Sequence, residues 1–95
     1  MKTVVVNCTT EKFDFYGGRP GFLGNPMKLW DEIPGGGRAN RNYVLRWYKH
    51  YFDERIKSDA DFRRQVLALK GKRLGCYCKP LPCHLDIVAA WLNNQ

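Results

Sequence analysis

The sequence predicts a small α/β domain with a short, mostly parallel sheet and about three helices, Rossmann-like in outline. Three observations predict it. Residues 3 to 7, Thr-Val-Val-Val-Asn, form a β-branched run that suits a strand buried on both faces. A long middle segment repeats apolar residues at helical spacing. A second alternating run, Arg73 to Cys78, is followed by another helical pattern from Cys83 to Leu92. The order strand, helices, strand, helix makes the two strands parallel, joined by a crossover that should be right-handed.

Taken in order, the elements are justified as follows. After the first strand, Cys8 to Asn40 is dense in turn formers: Gly17-Gly18, Pro20-Gly21, Gly24-Asn25-Pro26 and Pro34-Gly35-Gly36-Gly37. Phe13, Phe15, Tyr16, Phe22, Leu23, Met27, Leu29 and Trp30 are embedded in it, so the segment should pack down, with a short strand near Phe13 to Tyr16. Asn40 to Ile56 reads as a helix that buries Val44, Trp47, Tyr48, Tyr51, Phe52 and Ile56, with Asn40 or Asn42 as its cap. Ser58 is expected to cap a second helix, with Asp59 and Asp61 in the first turn, where the dipole favours acids. Its buried stripe would be Phe62, Val66, Leu67 and Leu69, and Gly71 stops it. The third helix, Cys83 to Leu92, would bury Leu85, Val88, Ala89 and Leu92.

A chain of 95 residues is expected to form one domain, residues 1–95, because it cannot divide its apolar residues between two cores. The apolar run Val4-Val5-Val6 is too short for a signal-peptide core, and no run approaches the roughly 18 residues of a membrane span. The expected setting is therefore the cytoplasm, with no membrane partner. Sixteen Lys and Arg against nine Asp and Glu give a net charge of +7, which favours anionic partners. All of that excess lies between Arg38 and Arg73, where eleven basic residues face four acidic ones. Arg46, Lys49, Arg63 and Arg64 on the helix faces are the candidates for tracking a nucleic-acid backbone, although charge-rich helix faces are more often simply solvated.

Cys76-x-Cys78-x4-Cys83-His84 is the most specific feature of the chain. Side chains two apart on a strand share a face, so the thiols of Cys76 and Cys78 can converge. Cys83 then arrives at a helix N-terminus, where the dipole should lower a thiol pKa. Three readings remain open: a structural zinc site using Cys76, Cys78, Cys83 and His84; a ligand or catalytic site using Cys83 and His84, with Asp86 orienting the reactive group; and small buried core residues. Adjacent Cys83 and His84 do not easily point to one place on a helix, which counts against the four-ligand arrangement. Four cysteines, three of them packed into eight residues near the C-terminus, do not make a disulfide framework, so reduced thiols are expected.

Two glycine-rich loops are further candidates. Gly17-Gly18-Arg19 followed by Gly24-Asn25 offers close backbone approach and one forked cation. Pro34-Gly35-Gly36-Gly37-Arg38 looks like a phosphate cradle leading toward a helix, but lacks both the Gly-Lys-Ser/Thr ending and the preceding strand of a P-loop.

Taken together, Gly18-Arg19-Pro20, Gly24-Asn25-Pro26, the tyrosine-rich first helix and Gly71 to Pro80 with Cys83-His84 resemble one family. It is a small domain-of-unknown-function family of bacteria and their phages with no established activity. The resemblance implies signature roles for Arg19, Asn25, Cys76, Cys78, Cys83, His84 and Asp86, and a bacterial or phage source. This chain has Leu85 where the family usually has glycine, a change expected to narrow the space over the start of the third helix.

The functional expectation is a pocket between Arg19, Asn25, the cysteine strand and the third helix, since ligands in parallel α/β sheets sit beyond the carboxyl ends of the strands. Gly18, Gly24, Cys76 and Cys78 would help line it. Its ligand would be a nucleotide or another phosphorylated small molecule, with hydrolase or transferase chemistry through Cys83, His84 and Asp86 left open. No cofactor is required, and zinc is the candidate ion. The alternative is a basic module that engages nucleic acid or a host protein, with a structural, zinc-bound or metal-free, cysteine cluster.

Overall fold

The computed structural model describes residues 2–19 and 21–95; Pro20 of the Gly-Arg-Pro motif lies outside the described residues. Three parallel strands form the sheet: β1 (Val4–Asn7), β2 (Phe15–Tyr16) and β3 (Arg73–Cys76), in spatial order β1-β3-β2. The helices are α1 (Arg41–Ser58), α2 (Ala60–Leu67) and α3 (His84–Asn93). The Cα radius of gyration, 13.3 Å, is that of a compact chain of this length.

The strand nearest the C-terminus is the central one. Leu74, Gly75 and Cys76 of β3 are all buried, whereas β1 lies at an edge and fully buries only Val6. The apolar run at the start of the chain therefore does not mark a strand covered on both faces; the burial belongs to β3, which is hydrogen-bonded on both sides. Leu74 and Cys76 join the main hydrophobic core, so Gly75 between them faces the other way. A Cβ at Gly75 would sit 2.7 Å from the Phe13 ring and 3.1 Å from the Cys8 Cβ. The absence of a side chain there is what lets the segment between β1 and β2 cross β3. Arg73 fixes that segment, donating from its Nε to the Lys12 carbonyl at 2.8 Å and from its backbone N–H to the Asp14 carboxylate at 2.8 Å.

α1 starts where Asn40 accepts from the Tyr43 N–H at 2.9 Å, and it buries Val44, Tyr48, Phe52 and Ile56, one residue per turn. Trp47 and Tyr51 are half-buried instead and stack on each other at 5.3 Å. The boundary with α2 differs from expectation. Ser58 is the last residue of α1 and donates to the Glu54 carbonyl, while Asp59 caps α2 by accepting from the Phe62 N–H at 3.0 Å. α2 then ends at Leu67, which is exposed, and Leu69 reaches the core from the turn that follows. Helical spacing cannot extend to Leu69 once the chain tightens there into i to i+3 bonds such as Leu69 N–H to Val66 at 2.9 Å. Tyr48, Phe52 and Phe62 are the largest buried side chains, and burial of each contributes about 1.5–3 kcal/mol.

A cation-lined cavity with three thiols

The carboxyl ends of β2 and β3 and the first turns of α1 and α3 surround a cavity of about 290 Å³. Arg19, Asn25, Cys76, Cys78, Cys83 and His84 all line it, and Gly18 forms part of its wall. Residues about sixty apart in sequence meet here because parallel strands deliver the loops that follow them to one edge. Gly24 is placed differently: it does not line the cavity but packs beneath Arg19, where a Cβ would lie 2.8 Å from the Arg19 Cγ.

The cavity carries three cations that the sequence did not group together: Arg19, Lys28 and Arg41. Among the described residues no carboxylate lines it. By composition Arg41 is one more charge in the basic middle of the chain. It is the first residue of α1, at the end of that helix that faces the sheet's carboxyl edge, and it donates to the Pro82 carbonyl at 3.0 Å. Tyr16 and Tyr77, also missed, meet edge to face at 5.8 Å at the same site. The alternation of Tyr77 with Cys76 and Cys78 was the available signal: a residue between two inward thiols has to point outward.

Each sequence candidate has a definite set of partners. Asn25 is buried, with its amide nitrogen 3.4 Å from the Val44 carbonyl and its oxygen accepting from the Met27 N–H at 3.0 Å, so its side chain holds the loop on α1. The His84 Nε2 is 2.9 Å from the Gly17 carbonyl. A carbonyl only accepts, so Nε2 carries the hydrogen and the neutral ring presents an unprotonated Nδ1, 3.8 Å from the Cys83 Sγ. Burial holds the imidazole pKa below its usual value, with the charge of Arg19 acting in the same direction. Cys83 departs from expectation. Burial pushes its thiol pKa up, because excluding water from the sulfur outweighs the helix N-terminus, and Cys76 and Cys78 beside it also disfavour a thiolate. Asp86 does not reach the cavity; its carboxylate accepts from the Cys83 N–H at 3.0 Å and pairs with Lys79, so it caps α3. The group that orients His84 is the Gly17 carbonyl.

Leu85 is likewise not over the cavity. It is fully buried against Gly17, and a Cβ on that glycine would collide with its Cδ2. The turn from Cys83 into α3 points residue 85 inward, so it adds to the core and leaves the mouth unchanged.

All four cysteines are free, and the sulfurs of Cys76, Cys78 and Cys83 lie within 4.8 Å of one another. Neither Cys8 nor His84 belongs to that group. Cys8 ends beside β3, its N–H donating to the Cys76 carbonyl at 2.9 Å. The nucleic-acid candidates lie elsewhere and are largely engaged: Lys49 pairs with Asp53, Arg64 with Asp61, and Arg63 donates to the Ile56 carbonyl. The second glycine loop forms a tight turn closed by a Glu32 to Arg38 bridge and does not lead directly into a helix. Among the described residues no helix is long and apolar enough to cross a membrane.

The fold and the cavity define a small α/β domain with a basic pocket at the carboxyl edge of its sheet. The chain belongs to the family described as Domain of unknown function (DUF4326), whose model matches residues 5–94. It is also similar to the "Uncharacterized 12.4 kDa protein in nrdA-td intergenic region" of Enterobacteria phage T4, at 38% identity over 66 residues. That match covers 70% of this chain and 61% of the phage protein, so the chain spans less than two thirds of its relative. No solved structure matches.

Proposed function

We propose that this domain binds a small phosphorylated ligand, of mononucleotide size, in the cavity between Arg19, Arg41 and the cysteine strand. One observation carries the reading: a concave site with Arg19, Lys28 and Arg41 in its lining and no carboxylate among the described lining residues. Such a site offers an anion forked hydrogen-bond donors. The volume of about 290 Å³ falls at the low end of ligand pockets, which run from about 300 to 1,000 Å³, and so suits one nucleotide rather than a dinucleotide. Met27, Leu29, Val44 and Leu45 give an apolar wall for a base or similar planar group, and the exposed ring of Tyr77 gives a stacking face at the mouth. Cys83 and His84 are the residues closest to acid–base chemistry, and their contact pairs a neutral thiol with an unprotonated ring nitrogen.

Isothermal titration with nucleoside 5′-monophosphates, the matching uncharged nucleosides and inorganic phosphate tests the reading. Phosphate-bearing ligands should bind about tenfold or more tightly than the nucleosides, since a charge-assisted hydrogen bond is worth about 1.5–3 kcal/mol. Equal binding of nucleoside and nucleotide, or no binding of any phosphorylated ligand at low salt, would overturn it.

A further inference from the structure

We infer that Cys76, Cys78 and Cys83 form a three-thiolate site for one thiophilic divalent ion of the zinc class, with the fourth coordination position open to the cavity. The inference stands apart from the phosphate reading, because it rests on the sulfurs alone.

The geometry comes from three short segments. Cys76 ends β3, Cys78 follows two residues on, and the turn after it is closed by the Leu81 N–H donating to the Cys78 carbonyl at 2.8 Å. Asn7 holds that turn from the neighbouring strand, its side-chain amide donating to the Lys79 carbonyl at 2.7 Å. The chain is thereby turned back so that Cys83, at the start of α3, brings its sulfur within 4.8 Å of the other two. A tetrahedral ion with zinc–sulfur bonds of about 2.3 Å needs sulfurs about 3.8 Å apart, so about 1 Å of closing at most completes the site.

Two further observations favour an ion over simple core packing. Cys76 and Cys83 are buried as core residues would be, but Cys78 is only half-buried and lines the cavity. Cys78 touches the core on one side, and its place at the cavity edge leaves its sulfur accessible to an ion. Three thiolates around a divalent ion also leave a net charge of −1, and Arg19, Lys28 and Arg41 in the same lining supply the opposite sign. As each sulfur binds, its proton leaves to solvent. An all-sulfur set selects thiophilic ions over magnesium or calcium. His84 does not complete the set as the chain stands, because its ring lies by Cys83 but outside the shared radius of the three sulfurs. Three protein ligands with one position left is the arrangement of zinc sites that take a water or a substrate.

The test uses the reduced, metal-stripped full chain and cobalt(II) as a visible probe, followed by zinc. The expected result is one cobalt per chain with an intense thiolate-to-metal band, displaced by one equivalent of zinc. Added imidazole should shift the d–d bands while the thiolate band persists, which reports the open position. Cys8→Ser and His84→Ala should retain the ion. Cys78→Ser, the substitution least disruptive to the core, should weaken zinc binding roughly a hundredfold or more, beyond the 10–100-fold typical of an outer-shell change. Folded wild-type protein that gives no thiolate band, or retention of zinc by Cys78→Ser at wild-type affinity, would overturn the site. Loss of the ion in His84→Ala, or d–d bands unmoved by imidazole, would assign a closed site and overturn the open position. Nucleotide binding to the metal-free chain is a separate measurement, so failure of the ion site and failure of the phosphate reading are distinguishable.

Discussion

The two glycine-rich loops each combine glycines with a proline and an arginine, yet their glycines serve different physical needs. In the loop from Gly17 to Gly24 no described glycine has positive φ. What these positions need is space: a Cβ would meet Leu85 at Gly17, the Tyr16 hydroxyl at Gly18, and Arg19 at Gly24. In the loop from Gly35 to Gly37 the situation is reversed. All three glycines have φ between +88° and +96°, and nothing lies within 4 Å of where a Cβ would be. The first loop is glycine-rich because it is packed, and the second because its backbone turns left-handed in the open. Only the packed loop places its arginine in the cavity, whereas Arg38 in the open one meets Glu32 across an exposed turn. Glycine content therefore marks a binding loop here only where the loop is also pressed against the core.

Substitutions can break or sharpen that contrast. The largest effect is expected from Gly17→Ala, because the added methyl collides with a fully buried leucine and would disturb the carbonyl that holds His84. Overpacking of this kind should cost about 1–3 kcal/mol in denaturant unfolding, and an unchanged midpoint would show that close approach is not what selects this glycine. Next, Arg19→Ala should weaken binding of a nucleoside monophosphate about tenfold, about 1.4 kcal/mol, with stability within about 0.5 kcal/mol of wild type. Arg38→Ala should leave that affinity unchanged, and equal losses in the two variants would remove the distinction between the loops.

Tyr48 gives the third test. Its fully buried hydroxyl donates to the Leu23 carbonyl at 2.9 Å, pinning the first loop to α1. Burial raises the phenol pKa above its usual range, so this contribution to stability is fully present below about pH 10 and is lost as pH rises past the pKa of the unfolded chain. Tyr48→Phe should cost about 1 kcal/mol at neutral pH and make the alkaline fall in melting temperature shallower than in wild type. A parallel fall in both proteins would mean that the hydroxyl does not anchor the loop. Gly36→Ala should act on the backbone alone, since nothing is crowded there and only the left-handed conformation is penalised, by about 1–2 kcal/mol. Phosphate binding should be unaffected, as read by the same titration.

Much of the architecture was legible because it depends on local period. The i, i+4 series Val44, Tyr48, Phe52 and Ile56 specifies α1, and the cap of Asn40 specifies its start. The cluster Cys76, Cys78, Cys83 was legible for a similar reason, since a two-residue step and one short return loop bring the thiols near one another, with Asn7 of β1 holding that loop in place. The α1/α2 boundary was less so, because Ser58 and Asp59 are both good caps and only the hydrogen bonds of the assembled pair select Asp59.

By itself, then, the sequence determined the helices, the parallel strands, the cysteine group and the likeness of its motifs to a known family, all of which follow from spacing a few residues long. Tertiary structure decided the rest. It made β3 central instead of β1, because strand order depends on which edges pair, and a β-branched run reads alike at an edge or in the middle. It moved Asp86 to a helix cap and Leu85 into the core, since one residue's step around a helix start is 100° of direction that composition does not record. It also brought Arg19, Lys28 and Arg41 around one cavity, through loops whose paths are set by contacts with α1 and β3 rather than by any local preference.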